Sequence, residues 1–401
     1  MELLKLCAVF AVIIVALRFK CKLYQAMLLA IIATALLWRL PLVTCGALLV
    51  EGLFSVETLT LVAILYAITF LQRLLERRQQ LRRAQQDLAA IFNNRRINAT
   101  LAPVFIGLLP SAAAATICGE IVNEACGDDL PVEERAFVTT YFRHIPESFL
   151  PTYSSVILMS GLSGVPLGSF VVGMLPLVAV LFLLGYLFYI RKLPRDTGLP
   201  PQGHKGRSAL QLLGHLWTLA AIIVLILAFR VPTIWAVLAV AVLAYPVYRF
   251  PLRELPPLLQ AGFEPVLISN TFLVMVFKAF LTETQVISTL PETLSKLPIP
   301  AFLVFALIFF LGALVSGSSA IIASCTAMAF AAIPGGGMPL MVLLMSFCYA
   351  AMQVSPTHVC LAIVIGYFKV DMGALVKKTL PVIGCFCVVA VGYYLLLTAL
   401  L

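Results

Sequence analysis

The stretches Phe105-Ile-Gly-Leu-Leu-Pro-Ser111 and Phe310-Leu-Gly-Ala-Leu-Val-Ser316 carry Phe, Gly, Leu and Ser at the same spacing, 205 positions apart. At that offset the chain aligns on itself without a gap from Phe105/Phe310 to Tyr189/Tyr394, with 16 identities in 85 positions; roughly 8–9% identity is expected for this composition. One cluster of identities continues from the opening stretch through Ala115/Ala320 and Ile117/Ile322. A second pairs Pro151, Thr152, Gly161, Val165, Gly168, Val171, Leu175 and Pro176 with Pro356, Thr357, Gly366, Val370, Gly373, Val376, Leu380 and Pro381. The same offset carries apolar runs at 3–17, 23–42 and 57–72 onto runs near 209–229, 232–249 and 264–281. The chain therefore reads as two repeats, 1–190 and 209–401, joined by a linker at 191–208.

The repeats are too apolar for water. The 401 residues are 62% hydrophobic and 11% charged, with a mean hydropathy of +1.06, against about 25% charged residues in a soluble domain. A helix needs about 20 apolar residues to cross a bilayer, so the length predicts about ten crossings in an all-helical polytopic membrane protein. A soluble enzyme, a nucleic-acid binder and a disulfide scaffold are excluded. The formal charge of +9 instead marks cytoplasmic loops. Seven arginines from Arg73 to Arg96, opposed by Glu76 and Asp87, place the arm 73–96 in the cytoplasm. The Pro- and Gly-containing linker, with Arg191 and Arg207, belongs on the same side. Counting spans back from the arm puts Arg18, Lys20 and Lys22 inside, the Glu51–Glu57 loop outside and the N-terminus outside.

Charges also orient the second repeat. The counterpart of the arm, 282–298, carries Glu283 and Glu292 against Lys296 and suits the outside. The uncharged turn 161–170 corresponds to 366–378, which carries Lys369, Lys377 and Lys378 and suits the inside. The repeats thus read as inverted, with the C-terminus outside, the plan by which secondary transporters open one site to each side in turn.

Two segments in each repeat cannot be simple spans. Residues 98–126 and 302–331 each read as a re-entrant hairpin, helix–tip–helix, with tips at Ser111 and at Ser316-Gly-Ser318-Ser319. Residues 133–160 and 338–366 read as spans broken at Pro146-Glu147-Ser148-Phe-Leu-Pro151-Thr152 and at Gln353-Val-Ser355-Pro356-Thr357-His358, before final spans at 169–190 and 379–401. Ser355 before Pro356 predicts an N-cap with proline at the first helical position. Irregular backbone at membrane depth is tolerated only where protein or a water-filled cavity satisfies it. Helix N-termini there attract anions, while unwound carbonyls and hydroxyls suit Na⁺. Candidate site residues are therefore Ser111, Glu147, Ser148, Thr152, Ser316, Ser318, Ser319, Gln353, Ser355, Thr357 and His358, with Na⁺ sites at Ser316–Ser319 and Ser355–Thr357. Ionisable residues at depth are costly, which singles out Glu147 and His358; Arg143 and His144 lie one turn before the first break. The competing explanations are small residues packing helices closely, a helix-end carboxylate bonded to local N–H groups, and a buried imidazole bonded to a carbonyl. Lys278 and Glu264, near the ends of one span, read as snorkelling.

Cys7, Cys118, Cys325, Cys348, Cys360, Cys385 and Cys387 lie in apolar stretches and read as small hydrophobes. Spacings such as Cys385-Phe-Cys387 are not metal-ligand spacings, so no disulfide, resident metal or other cofactor is expected. The apolar N-terminus lacks a preceding basic region and a cleavage site, so it reads as a retained helix.

The order of spans, arm, hairpin, broken helix and final span, repeated in inverted orientation, resembles the ion transporter superfamily of dicarboxylate, citrate, gluconate, arsenite and Na⁺/H⁺ transporters. Gly107-Leu-Leu-Pro110 and Ser355-Pro-Thr-His-Val-Cys-Leu361 with Tyr367-Phe-Lys369 most resemble the uncharacterised DUF401-like family of prokaryotic integral membrane proteins. The resemblance implies a homodimer in the inner membrane and an elevator-like motion of hairpins and broken helices against the remaining spans. It also implies that Ser111, Ser316 to Ser319, Ser148, Thr152, Ser355 and Thr357 bind ion and substrate. Dicarboxylate members carry Ser-Asn-Thr at these places and this chain does not; Ser269-Asn270-Thr271 lies in another span. The expected function is symport of a small, carboxylate-like organic anion with H⁺ or Na⁺, from lipid-embedded protein and without nucleic acid. The alternatives are a cation/proton antiporter using Glu147, an intramembrane enzyme using Ser355, His358 and Glu147, and a non-transporting membrane subunit.

Overall fold

The computed structural model describes residues 2–19, 21–80, 83–84, 87, 94–108, 112–196, 205–285, 298–356 and 358–400. Among them there are helices and turns and no strand. The first half holds α1 (Glu2–Arg18), α2 (Leu23–Leu37), α3 (Leu42–Phe54), α4 (Val56–Arg77), α5 (Arg95–Gly107), α6 (Ala112–Cys126), α7 (Val132–His144), α8 (Ser154–Ser163) and α9 (Leu167–Phe188). The second half holds α10 (Lys205–Leu227), α11 (Thr233–Val247), α12 (Leu255–Gly262), α13 (Pro265–Glu283), α14 (Ala301–Ser316), α15 (Ser318–Ala332), α16 (Gly337–Met352), α17 (Val359–Phe368) and α18 (Met372–Leu400). Among the described residues, five helical stretches are long and apolar enough to cross a membrane: 42–77, 167–188, 208–227, 265–283 and 372–400. Large apolar residues such as Leu42, Val43, Val388 and Leu400 are exposed on them, which suits a surface solvated by lipid rather than water.

The Glu51–Glu57 stretch, read as a loop, is helical except at Ser55. One carboxylate does not interrupt an apolar helix, and Ser55 joins α3 to α4 by accepting from Thr58 N at 3.2 Å while Thr58 Oγ1 donates to Gly52 O at 2.8 Å. Details of backbone recur between the halves. Gly164 and Lys369, mates at the 205 offset, both end a helix in the left-handed conformation, as do Arg39 after α2 and Arg249 after α11.

The halves interlock by exchanging equivalent contacts. α2 packs on α13 and α11 on α4; α3 packs on α13 and α12 on α4; α6 packs on α17 and α15 on α8; α7 packs on α18 and α16 on α9. In each case swapping the halves turns one contact into the other, the arrangement a two-fold relation produces. Even the closest approaches are exchanged: a Cβ on Gly52 would meet Val276, and one on Gly262 would meet Phe70.

Polar contacts give the direction of the equivalent helices. Lys278, late in α13, pairs with Glu57 at the start of α4 at 2.7 Å, and Arg73, late in α4, pairs with Glu264 just before α13 at 2.5 Å. Hence α4 and α13 run antiparallel, and two residues read as snorkelling tie the halves together at both ends. Tyr393 donates to Gly173 O at 3.0 Å and Tyr189 to Lys378 O at 2.7 Å, so α9 and α18 are antiparallel too. At one end Glu134, nearly buried, accepts from Lys192 at 2.8 Å and Lys378 at 2.9 Å, clasping the first half, the linker and the second half.

Candidate functional site

The first break follows from its prolines. Pro146 lacks an N–H to continue α7, so the chain tightens into a 3₁₀ turn over Ile145–Ser148, where Ser148 Oγ donates to Ile145 O at 2.7 Å; α8 restarts only at Ser154. In the second break α16 ends at Met352 and α17 begins at Val359, with His358 in the cap position. This corrects the expectation that Ser355 caps a helix beginning at Pro356. The Ser355 hydroxyl is engaged elsewhere, donating to Leu314 O at 2.7 Å, and the helix starts three residues later.

Each break is tied to the first helix of its own hairpin. Ser355 takes the carbonyl of Leu314 in α14, and Tyr153, which follows the first break, donates to the carbonyl of Gly107 in α5. At the second hairpin tip Ser316 Oγ donates to Gly312 O at 2.7 Å, and Gly317 takes φ +86°, ψ 155°, a conformation essentially restricted to glycine. Ser318 Oγ reaches Met352 Sδ at 2.8 Å, joining this tip to the end of α16. Ser319 is exposed. Ser111 and Thr357, both predicted to bind, lie outside the described residues.

The breaks meet through side chains that are 214 residues apart in sequence: His358 Nε2 lies 2.9 Å from His144 Nε2. His144 Nδ1 is 2.6 Å from Thr140 O. A carbonyl can only accept, so Nδ1 carries the proton and Nε2 is the acceptor. Facing that lone pair are His358 Nε2 and Arg143 Nη1, the latter at 3.2 Å. Arg143 is 1% exposed, and the same Nη1 lies 3.4 Å from Glu147 Oε1 and 3.3 Å from Cys360 Sγ. One guanidinium nitrogen thus gathers an imidazole, a carboxylate and a thiol from both halves.

Two predicted residues hold unspent polar groups. Among the described residues, neither amide atom of Gln353, a fully buried side chain, has a hydrogen-bond partner, and neither does Thr152 Oγ1. Thr152 and Tyr153 line a cavity of about 150 Å³ with Gln72, Glu76, Glu264 and Leu267. The structure therefore brings Glu147 and His358 to one cluster and leaves Ser148, Ser316, Ser318 and Ser355 bonded to backbone or sulfur.

Sequence reasoning missed four residues as site members: Arg143, His144, Tyr153 and Cys360. The adjacent Arg143-His144 carried a usable signal, two ionisable groups inside an apolar run one turn before a break. Tyr153 is the repeat mate of His358, which was the only hint it gave. Cys360, read as a small hydrophobe, offered none. A family model described as "Protein of unknown function (DUF401)" matches residues 3–397. No curated protein matches the chain.

Proposed function

We propose that this chain, which belongs to the DUF401 family of unknown function, is a secondary active transporter of a small carboxylate-like anion, coupled to H⁺ or Na⁺. The observation that carries the reading is Arg143, a fully buried cation held between the two helix breaks and joined to both halves. A buried guanidinium needs an anionic partner. Glu147 supplies it at 3.4 Å, a long contact for a charge-assisted bond. An incoming carboxylate competes with Glu147 for the planar fork, which binds such groups bidentately. The displaced Glu147 then takes a proton or faces a cation, and this exchange couples substrate to ion.

The fold supports alternation between two open states. Equivalent helices α4 and α13, and α9 and α18, run antiparallel and the halves exchange contacts, as two inverted repeats of about ten crossings would require. We assign the basic arm and linker to the cytoplasm, both termini to the outside of an inner membrane, and hairpins with broken helices to a moving unit in an elevator-like homodimer. These features are those of the ion transporter superfamily.

Counterflow in proteoliposomes tests the reading. A panel of carboxylates, with imposed pH or Na⁺ gradients, is expected to give saturable exchange driven by one gradient, and Arg143→Gln is expected to abolish it. Flux of a cation against protons without any anion dependence establishes the antiporter instead. Gradient-independent turnover of a lipid or peptide establishes an enzyme, and no flux for any solute a non-transporting subunit.

A further inference from the structure

We propose that His144, His358 and Cys360 form a site for one borderline-soft divalent metal ion, of the Zn²⁺ class, which pins the two helix breaks to each other. The three donor atoms, two imidazole nitrogens and a thiol sulfur, all lie within 4.8 Å of one another. In a tetrahedral zinc site, with bonds of about 2.0–2.3 Å, neighbouring donors are about 3.3–3.7 Å apart. The Nε2–Nε2 separation of 2.9 Å is about 0.4 Å short of that spacing, so the site closes when the two imidazoles part slightly and the sulfur moves in by about 1 Å.

The surroundings favour ligation over a bare hydrogen-bonded pair. His144 gives its Nδ1 proton to the Thr140 carbonyl at 2.6 Å, the outer contact by which metal-binding imidazoles are oriented with Nε2 forward. His358 and Cys360 stand two residues apart at the start of one helix and project to the same centre, which explains why spacing along the chain gave no motif: the third ligand comes from the other half. Sulfur with two imidazoles selects Zn²⁺ over Mg²⁺ or Ca²⁺. On binding, the Cys360 thiol releases its proton to solvent and ligates as thiolate, and His358 carries its proton on Nδ1 so that its Nε2 lone pair is the ligand. Arg143 gives up the His144 nitrogen and keeps its donation to the sulfur, 3.3 Å away, stabilising the thiolate. Three protein ligands leave a fourth position for water or an anion.

Full-length protein, purified in detergent and stripped with a chelator, is titrated with Co²⁺ as a spectroscopic stand-in. The expected result is one Co²⁺ per chain, with thiolate-to-cobalt charge-transfer absorption and tetrahedral ligand-field bands, displaced by Zn²⁺. Cys360→Ser removes the charge-transfer band, His144→Gln and His358→Gln weaken binding by at least about ten-fold, and Cys118→Ser leaves the spectrum in place. Gel filtration of each variant before metal is added separates loss of ligand from loss of fold. No stoichiometric band in the wild-type protein, or a charge-transfer band that survives Cys360→Ser, overturns the proposal. The readout needs no substrate, so its failure is distinct from failure of the transport reading.

Discussion

A hydrogen atom at Gly107 is what lets the buried charge exist where it does. A Cβ built there would stand 2.0 Å from the carbonyl oxygen of Arg143, a backbone atom that cannot rotate aside. Gly107→Ala is expected to cost about 3 kcal/mol through overpacking and to lower the melting temperature in detergent by several degrees. Gly384→Ala, whose Cβ meets nothing within 4 Å, is expected to be neutral or slightly stabilising. The repeat mate Gly312 would meet the flexible end of Ile321, so Gly312→Ala should fall between them. The ion pair makes a second prediction at this scale. Glu147→Gln leaves Arg143 buried against a neutral group and is expected to destabilise by about 3–5 kcal/mol, and removing both charges together, Arg143→Met with Glu147→Gln, should restore most of it. Thermal melts of the single and double variants check this; equal loss in all three refutes the pairing. The repeat made Gly107 visible as a residue kept in both halves, but not its contact. A contact between α5 and α7 depends on how two helices approach, which spacing along either one does not encode.

Helices were the most legible level. Proline placement and apolar run length locate the breaks because a missing N–H and a fixed φ act locally. The start of α17 was misplaced because Ser355 is recruited by Leu314, 41 residues away, a tertiary partner that overrides a good local cap signal. The clasp at Glu134 belongs to this scale, since α7, the linker turn and α18 meet on one carboxylate. Its side chain is 5% exposed while Lys192 and Lys378 are 45% and 36% exposed, so each lysine is largely screened and replaceable. Lys192→Met and Lys378→Met are each expected to cost at most about 1 kcal/mol. Glu134→Gln, which strips both lysines of their partner, should cost more than either alone. Chemical or thermal unfolding with all three variants, read at low and high salt, decides it: a glutamine variant milder than both lysine variants rules out the clasp.

At the scale of the whole molecule, the proposed inverted plan rests on two unrelated observations, the charge bias between loops and the antiparallel helix pairs. Impermeant maleimide labelling in intact cells, on a background without native cysteines, tests it. Ser169→Cys, beside the turn at Gly164, is expected to react from outside, and Lys369→Cys only after the membrane is opened. Labelling of both from one side refutes the inversion. The exchanged packing was not legible in sequence at all, because self-similarity says that two halves are alike without saying that each completes the other. That exchange has a consequence for synthesis. The faces of α2, α4, α6 and α8 that await α13, α11, α17 and α15 have no partner until the ribosome has made about 200 more residues, which at 5–20 residues per second leaves them open for about 10–40 s. During that interval the nascent first half must be shielded by lipid or by the insertion machinery, because exposed packing faces are where incomplete chains associate wrongly.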